Sequence, residues 1–153
     1  MEIVDLKEIP DAIPMLADWH HEQWSYLSPQ TSLEIRIEKY HEFLREEIIP
    51  SAYVAIEKSA VMGSASIIKH DMKTRMEYSP WLASVYVHPE HRDQGIGSKL
   101  VSHAMSITKK NNFEFLYLFT PDKEKFYQRL GWSTIHNELY SNTQVSVMTV
   151  RFS

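Results

Sequence analysis

The spacing of apolar residues changes along the chain, and these changes predict an alternation of helices and strands. Two stretches near the N-terminus place apolar residues three or four positions apart, which is typical of amphipathic helices. Farther along, short apolar or alternating runs indicate strands, with two more helical stretches between them. The predicted strands are Ile3–Leu6, Ala52–Glu57, Val61–Lys69, Trp81–Val87, Phe115–Phe119, Ile135–Tyr140 and Val145–Arg151, and the predicted helices are Pro10–Tyr26, Leu33–Ile48, Gly95–Lys110 and Asp122–Leu130. This order, β-α-α-β-β-β-α-β-α-β-β, predicts an α/β fold with a mixed sheet.

Composition narrows the class of protein. The 153 residues contain no repeat, low-complexity tract or flexible linker, which predicts one domain over residues 1–153. A net charge of −4 without a basic run argues against nucleic-acid binding. The chain has no cysteine, which excludes a disulfide framework and a cysteine nucleophile. Neither a signal peptide nor a membrane span is indicated, so we expect a cytoplasmic protein without a membrane partner.

The segment that follows the strand Trp81–Val87 predicts an anion site. A turn containing Gly95 and Gly97 leads from that strand directly into an amphipathic helix. The first N–H groups of a helix have no intrahelical partner and lie at the positive end of its dipole, so they bind phosphate groups well.

Two common phosphate motifs do not fit this turn. A P-loop ends in Gly-Lys-Ser/Thr, whereas the order here is Gly97-Ser98-Lys99. A dinucleotide-binding turn has a third glycine where Leu100 stands. A turn whose glycines serve only the backbone conformation is the structural alternative.

Two motifs resemble those of the GNAT acetyltransferases. Arg92-x-x-Gly95-x-Gly97 matches the family's acyl-CoA motif, Arg/Gln-x-x-Gly-x-Gly/Ala. Phe126-Tyr127-x-x-x-Gly131-Trp132 is similar to the family's Phe/Leu-Tyr-x-x-x-Gly-Phe motif, and one helix and one strand separate the two motifs, as in the family. The resemblance covers nearly the whole chain. It implies the GNAT fold, in which about four helices flank a mixed, mostly antiparallel sheet of about seven strands.

The resemblance also implies acetyl-CoA as co-substrate, no metal, and direct acetyl transfer to an amine. In the family, the turn binds the CoA pyrophosphate, and the preceding strand pairs with the pantetheine arm. The matching cofactor-binding residues here are Val85, Tyr86, Val87, Arg92, Asp93, Gln94, Gly95, Ile96, Gly97, Ser98, Thr120 and Tyr127. The N–H of Val87 is expected to stabilise the thioester oxygen. Tyr127 is the expected general acid, because a phenol with a pKa of about 10 suits a thiolate of similar basicity.

The sequence identifies the general base and the acceptor pocket less closely than it identifies the cofactor site. The glutamate that the histone-acetylating branch of the family keeps on the fourth strand falls at Trp81 here, and the nearest carboxylate, Glu77, is the expected base; a solvated loop charge is the alternative. Other candidates for the base are Glu22, His20, His21 and His88. Trp24, Tyr26 and Trp81 are expected to wall the acceptor pocket, although aromatic residues more often belong to the core. The acceptor could be a small molecule, a peptide N-terminus or a lysine. The family also admits homodimers, and a non-catalytic CoA-binding protein is the competing functional hypothesis.

Two further groups of side chains receive plain interpretations. The acidic helix positions Glu34, Glu38, Glu42 and Glu46 are interpreted as a solvated face rather than as a site for a cationic amine. The sequence His20-His21-Glu22 is not expected to bind a metal, because adjacent helical residues point in different directions.

Overall fold

A computed structural model describes residues 1–152 of the protein. Its elements are β1 (Glu2–Asp5), α1 (Ile13–Trp24), α2 (Leu33–His41), β2 (Ser51–Glu57), β3 (Ala60–Ile68), β4 (Trp81–Val87), α3 (Ile96–Lys110), β5 (Phe115–Thr120), α4 (Glu124–Arg129), β6 (Ser133–Tyr140) and β7 (Thr143–Arg151). The predicted element order is therefore confirmed. In residues 1–152, none of the helices has the length and apolar character needed to cross a bilayer.

The seven strands form one open sheet in the order β1-β2-β3-β4-β5-β7-β6. All neighbouring strands are antiparallel except β4 and β5, which run parallel. The prediction of a mixed and mostly antiparallel sheet is confirmed. The parallel pair lies at the point where the chain crosses through α3 from one strand to the next, as parallel neighbours require.

Helices cover both faces of the sheet, and the alternation of side chains in β2 shows how. Tyr53 and Ala55 belong to the core beneath α3, whereas Ala52 and Val54 belong to the core beneath α1 and α2. Because successive strand residues point to opposite faces, a strand covered on both sides is buried throughout. Residues 51–55 are all buried for this reason.

The second helix is shorter than the sequence pattern predicts. We expected it to reach Ile48, but α2 ends at His41 and a single 3-10 turn, Glu42–Leu44, follows it. Phe43 is buried in that turn, whereas Ile48 is 45% exposed. The β-branched pair before Pro50 disfavours helix, because proline restricts the residue before it to extended backbone.

The two parallel strands separate almost as soon as they meet. Trp81 and Tyr117 form the only register pair between β4 and β5 in the described residues. Farther along β4, Ser84 and Val85 lie opposite the single residue Ala65 of β3, and Ser84 has a φ of 56°. This bulge bends β4, since an extra residue in one strand locally increases twist. The result is a gap between the C-terminal parts of β4 and β5.

Gly63 permits β3 and β4 to approach closely beside the gap. It lies opposite Val87, and a Cβ atom there would overlap the carbonyl oxygen of Tyr86. We expect Gly63→Ala to lower the free energy of unfolding by about 1–3 kcal/mol, because β4 must shift. Gly97→Ala is the control, since a Cβ at Gly97 would lie 3.5 Å from its nearest neighbour. Urea denaturation measures both variants, and equal stability of Gly63→Ala and the wild type would contradict the expectation.

Candidate active site

The gap between β4 and β5 opens into a cleft of about 1880 Å³ that extends from the start of α3 to the helices α1 and α2. Most of the predicted site residues line it. They are Trp24, Val85, Tyr86, Val87, Arg92, Asp93, Gly95, Ile96, Gly97, Ser98, Thr120 and Tyr127. Residues from separate parts of the sequence thus meet along one surface.

The glycine turn presents backbone donors to this cleft. Gly95 has a φ of 78°, and the first hydrogen bond of α3 runs from the Lys99 N–H to the Gly95 carbonyl at 3.1 Å. The N–H groups of Ile96, Gly97 and Ser98 therefore have no partner within the helix. Together with the helix dipole they form a site suited to a phosphate group.

Arg92 holds the turn against the end of β4. Its Nε donates to the carbonyl oxygen of Val87 at 2.8 Å, and its guanidinium lies 5.7 Å from the centre of the Tyr86 ring. On the other side of β4, the His88 N–H donates to the Met62 carbonyl at 2.9 Å. In an antiparallel ladder this bond makes Val87 a non-hydrogen-bonded position, so its own N–H points away from β3 and toward the gap.

Tyr127 is fixed by the way that α4 ends. Gly131, with a φ of 100°, donates its N–H to the Gln128 carbonyl, and Trp132 donates its N–H to the carbonyl of Tyr127, both at 3.1 Å. This pair of bonds is a Schellman motif, which glycine favours because of its left-handed backbone. The Trp132 ring then packs against Tyr127, with the ring centres 6.0 Å apart.

The phenol of Tyr127 keeps its proton. Its side chain is 8% exposed, and its hydroxyl makes no hydrogen bond to any residue between 1 and 152. Burial raises the pKa of Tyr127 above its ordinary value, and the nearby charge of Asp122 raises it further. The O–H group is consequently a free donor at the cleft wall.

Thr120 has a local structural task as well as a place in the cleft. Its Oγ1 accepts a hydrogen bond from the Lys123 N–H at 3.0 Å, which stabilises the turn between β5 and α4. The hydroxyl proton is not used in that bond, so the side chain can still donate.

Four predicted site residues do not reach the cleft. Glu77 is exposed in the β3–β4 loop, where its carboxylate lies 3.6 Å from Arg75. Tyr26 is 52% exposed in a 3-10 turn, and Gln94 is exposed in the glycine turn. Trp81 is completely buried beside Tyr117, and its Nε1 donates to the Tyr78 carbonyl at 2.7 Å. The geometry of the cleft therefore does not support Glu77 as the base, Tyr26 and Trp81 as walls of the acceptor pocket, or Gln94 as a cofactor-binding residue.

The histidines of α1 are engaged by neighbouring side chains. His20 lies 3.2 Å from the Tyr40 hydroxyl, and the Nδ1 of His21 accepts from the Nε of Arg36 at 3.0 Å. Burial, together with the charges of Arg36 and Lys39, lowers the pKa of His20 to about 3. His20 is therefore neutral at physiological pH, and these adjacent histidines serve separate contacts.

Two cleft residues were missed by the sequence analysis. Arg36, only 5% exposed, lies on α2, and Asp71 lies in the β3–β4 loop. Burial raises the pKa of Asp71 from 3.8 to about 7, although the charge of Lys39 opposes the shift. The position of Arg36 held a signal, because Arg36, Tyr40 and Phe43 share the buried stripe of the helix. The sequence held no comparable signal for Asp71.

One group of residues offers three metal-ligating side chains close together. The ligand atoms of His88, Glu90 and His91 lie within 4.8 Å of one another. They stand on the short 3-10 turn that precedes Arg92, and the Nδ1 of His88 accepts from the Glu90 N–H at 3.2 Å. The local geometry of the turn accounts for their proximity.

Several solved structures share the fold of this chain. An aminoglycoside 6'-N-acetyltransferase complexed with coenzyme A has a TM-score of 0.76 and 16% identity, covering 99% of this chain and 97% of that chain. The protein yncA from Salmonella typhimurium, with its cofactor acetyl-CoA, has a TM-score of 0.72 and 19% identity, covering 100% and 94%. Ribosomal-protein-alanine N-acetyltransferase from Brucella melitensis has a TM-score of 0.74 and 16% identity, covering 99% and 100%.

The fold and the family comparison define an acyltransferase. The model of the acetyltransferase (GNAT) domain matches residues 50–134, which span the central strands, the glycine turn and α4. The chain belongs to the GNAT acetyltransferase family. A search of curated proteins finds no match to the sequence.

The unusual environment of Asp71 predicts a pH-dependent change in stability. Between pH 4 and 7 the folded protein retains a proton that the unfolded chain has lost, so the wild type loses stability as the pH rises. Asp71→Asn removes this effect, and we expect its stability relative to wild type to increase by at most about 1.4 kcal/mol per pH unit across that range.

Urea denaturation at pH 5 and pH 8 measures this difference. Glu77→Gln is the matched control, because Glu77 lies in the same loop but is exposed. The expectation is wrong if Asp71→Asn changes stability by the same amount at both pH values.

Proposed function

We propose that the protein is an N-acetyltransferase that transfers the acetyl group of acetyl-CoA directly to an amine. The observation that carries this proposal is the single cleft that combines three features. The α3 amides offer a phosphate site, the free edge of β4 extends from it, and the unpaired phenol of Tyr127 faces the same space. Two structural neighbours that hold coenzyme A or acetyl-CoA support the choice of donor.

The backbone supplies most of the donor site. The N–H groups of Ile96, Gly97 and Ser98 bind the CoA pyrophosphate. The free edge of β4 pairs with the pantetheine arm, and the N–H of Val87 donates to the thioester carbonyl oxygen. This oxygen becomes more negative as the amine attacks, so a fixed donor there lowers the barrier. Binding both substrates in one cleft adds the advantage of proximity.

Tyr127 protonates the departing thiolate. Its phenol is held in the protonated form by burial, and its O–H group has no competing acceptor among the described residues. The same low-dielectric surroundings raise the pKa of the CoA thiol as well, so the phenol and the departing thiolate stay comparable in basicity. The attacking nitrogen loses a second proton as the amide forms, which restores the phenol of Tyr127, and the products are the acetylated amine and free CoA.

Asp71 takes the place that we expected for Glu77 as the proton acceptor. It lines the cleft, whereas Glu77 does not, and no described side chain forms an ion pair with it. A carboxylate with a pKa of about 7 matches the working pH of a general base. Asp71 removes the ammonium proton of the acceptor, directly or through water, before the nitrogen attacks.

The role of Tyr127 is tested by Tyr127→Phe. We expect kcat to fall roughly 100-fold or more, because a general acid contributes at least that factor. The dissociation constant for CoA should change less than about threefold, since the ring and its packing are kept. Free-thiol release from acetyl-CoA with a panel of amines measures kcat, and calorimetry measures CoA affinity.

Tyr117→Phe is the matched control, because Tyr117 does not line the cleft. Unchanged turnover in Tyr127→Phe would remove the phenol from the chemistry. Stabilisation by CoA without thiol release from any amine would favour a non-catalytic CoA-binding protein.

The location of the donor site is tested by Gly97→Val. The added methyl groups would occupy the space in front of the α3 amides, near Val87 and Phe126. We expect CoA affinity to fall roughly 10-fold or more, which corresponds to about 1.4 kcal/mol or more. Ser106→Val on the exposed face of α3 is the control, and unchanged affinity in Gly97→Val would place the pyrophosphate elsewhere.

A further inference from the structure

Arg36 is a buried cation without an anionic partner. Its Nε donates to the Nδ1 of His21 at 3.0 Å, and its Nη2 donates to the Oγ of Ser28 at 3.2 Å. Neither acceptor is an anionic side chain, and no carboxylate of residues 1–152 forms an ion pair with Arg36. A guanidinium has five N–H donors, so donors remain available on the side that lines the cleft.

A second cation lies near Arg36. Lys39, one turn along α2, also lines the cleft, and the charges of Arg36 and Lys39 both act on the neutral ring of His20. Asp71 and Glu42 are the carboxylates at this end of the cleft, and neither pairs with Arg36. Burying a charge without a counter-ion is costly, so a ligand that supplies one is favoured here.

The donor cannot supply that charge from its proposed position. The pyrophosphate site lies at the start of α3, on one face of the sheet, whereas α2 packs on the opposite face. An anionic ligand of Arg36 would therefore belong to the second substrate.

We propose that the acceptor is a small amine that also carries an oxyanionic group, a carboxylate or a phosphonate, and that Arg36 binds this group. The inference rests on the proposed function, because it names the acceptor class of the same cleft. Arginine binds such groups through two parallel N–H donors, which fixes orientation as well as position. A buried donor pair also rejects analogues that lack the oxyanion, since its donors are then left without acceptors.

A purely structural role for Arg36 is the competing explanation. Its two hydrogen bonds connect α2 to α1 and to the turn that follows α1. That role requires the bonds to His21 and Ser28, whereas ligand binding requires the positive charge facing the cleft. Substitutions can separate these two requirements.

The wild-type protein is tested first with matched acceptors. Thiol release from acetyl-CoA is measured with free amino acids, the corresponding amino-acid amides, the decarboxylated amines, and the corresponding aminophosphonates. We expect kcat/KM for the oxyanionic compounds to exceed that for the amides roughly 10- to 100-fold, the range for a charged hydrogen bond. The comparison of carboxylates with phosphonates identifies which oxyanion fits.

The variants test whether Arg36 causes this preference. We expect Arg36→Met to raise KM for the oxyanionic acceptors roughly 10- to 100-fold and to change the amide values little. Arg36→Lys should recover part of the preference because it keeps the charge. Ser28→Ala is the matched control, since it removes one structural hydrogen bond and leaves the charge in place.

The outcomes separate this inference from the proposed function. Equal rates with acids and amides, or thiol release from amides or simple amines but from no oxyanionic amine, would overturn the acceptor inference alone. Absence of thiol release from every amine, with or without CoA binding, would overturn the proposed function. If Arg36→Met does not fold, the wild-type comparison together with Arg36→Lys and Ser28→Ala still shows whether Arg36 causes the preference for oxyanionic acceptors. Loss of the preference in Ser28→Ala, which keeps the charge of Arg36, would support the structural explanation.

Discussion

The interaction on which the structure depends is the short parallel contact between β4 and β5. The two strands share one register pair, Trp81 with Tyr117, and then separate. Trp81 is completely buried at this point and belongs to a core cluster with Met72, Val145 and Val147. Beyond it, each strand has a row of backbone groups without a neighbouring strand. The cleft and the free backbone groups along its walls follow from the early end of that pairing.

Local features of the backbone shape the gap between β4 and β5 into a binding site. The bulge at Ser84 bends β4, Gly63 permits the close approach of β3, and Arg92 fixes the turn by binding the Val87 carbonyl. On the opposite wall, the Schellman motif around Gly131 sets the position of Tyr127. None of these structural features is itself chemically reactive. Each restricts the backbone so that a donor group points into the cleft.

The predictable part of the site is the part encoded by neighbouring residues. The glycine turn and the end of α4 could be predicted because their hydrogen bonds connect residues only a few positions apart. The residues at the acceptor end of the cleft could not be predicted in this way. Whether Trp81 lines the acceptor pocket or belongs to the core depends on its packing against Tyr117 of β5. Whether Arg36 is exposed to solvent depends on the packing of α1 against α2. Similarly, the α2 boundary was overestimated because helical spacing continues past the residues that the core can bury.

The single register pair also divides the sheet into two hydrogen-bonded ladders. One consists of β1 to β4 and the other of β5 to β7, and each is antiparallel throughout. Cooperative units in proteins often coincide with such ladders, so their amide protons would exchange with solvent through separate opening events. A molecule lying in the gap contacts both ladders at once. Binding of such a molecule would couple the local unfolding of the two ladders, and it would slow amide hydrogen exchange at residues far from the cleft.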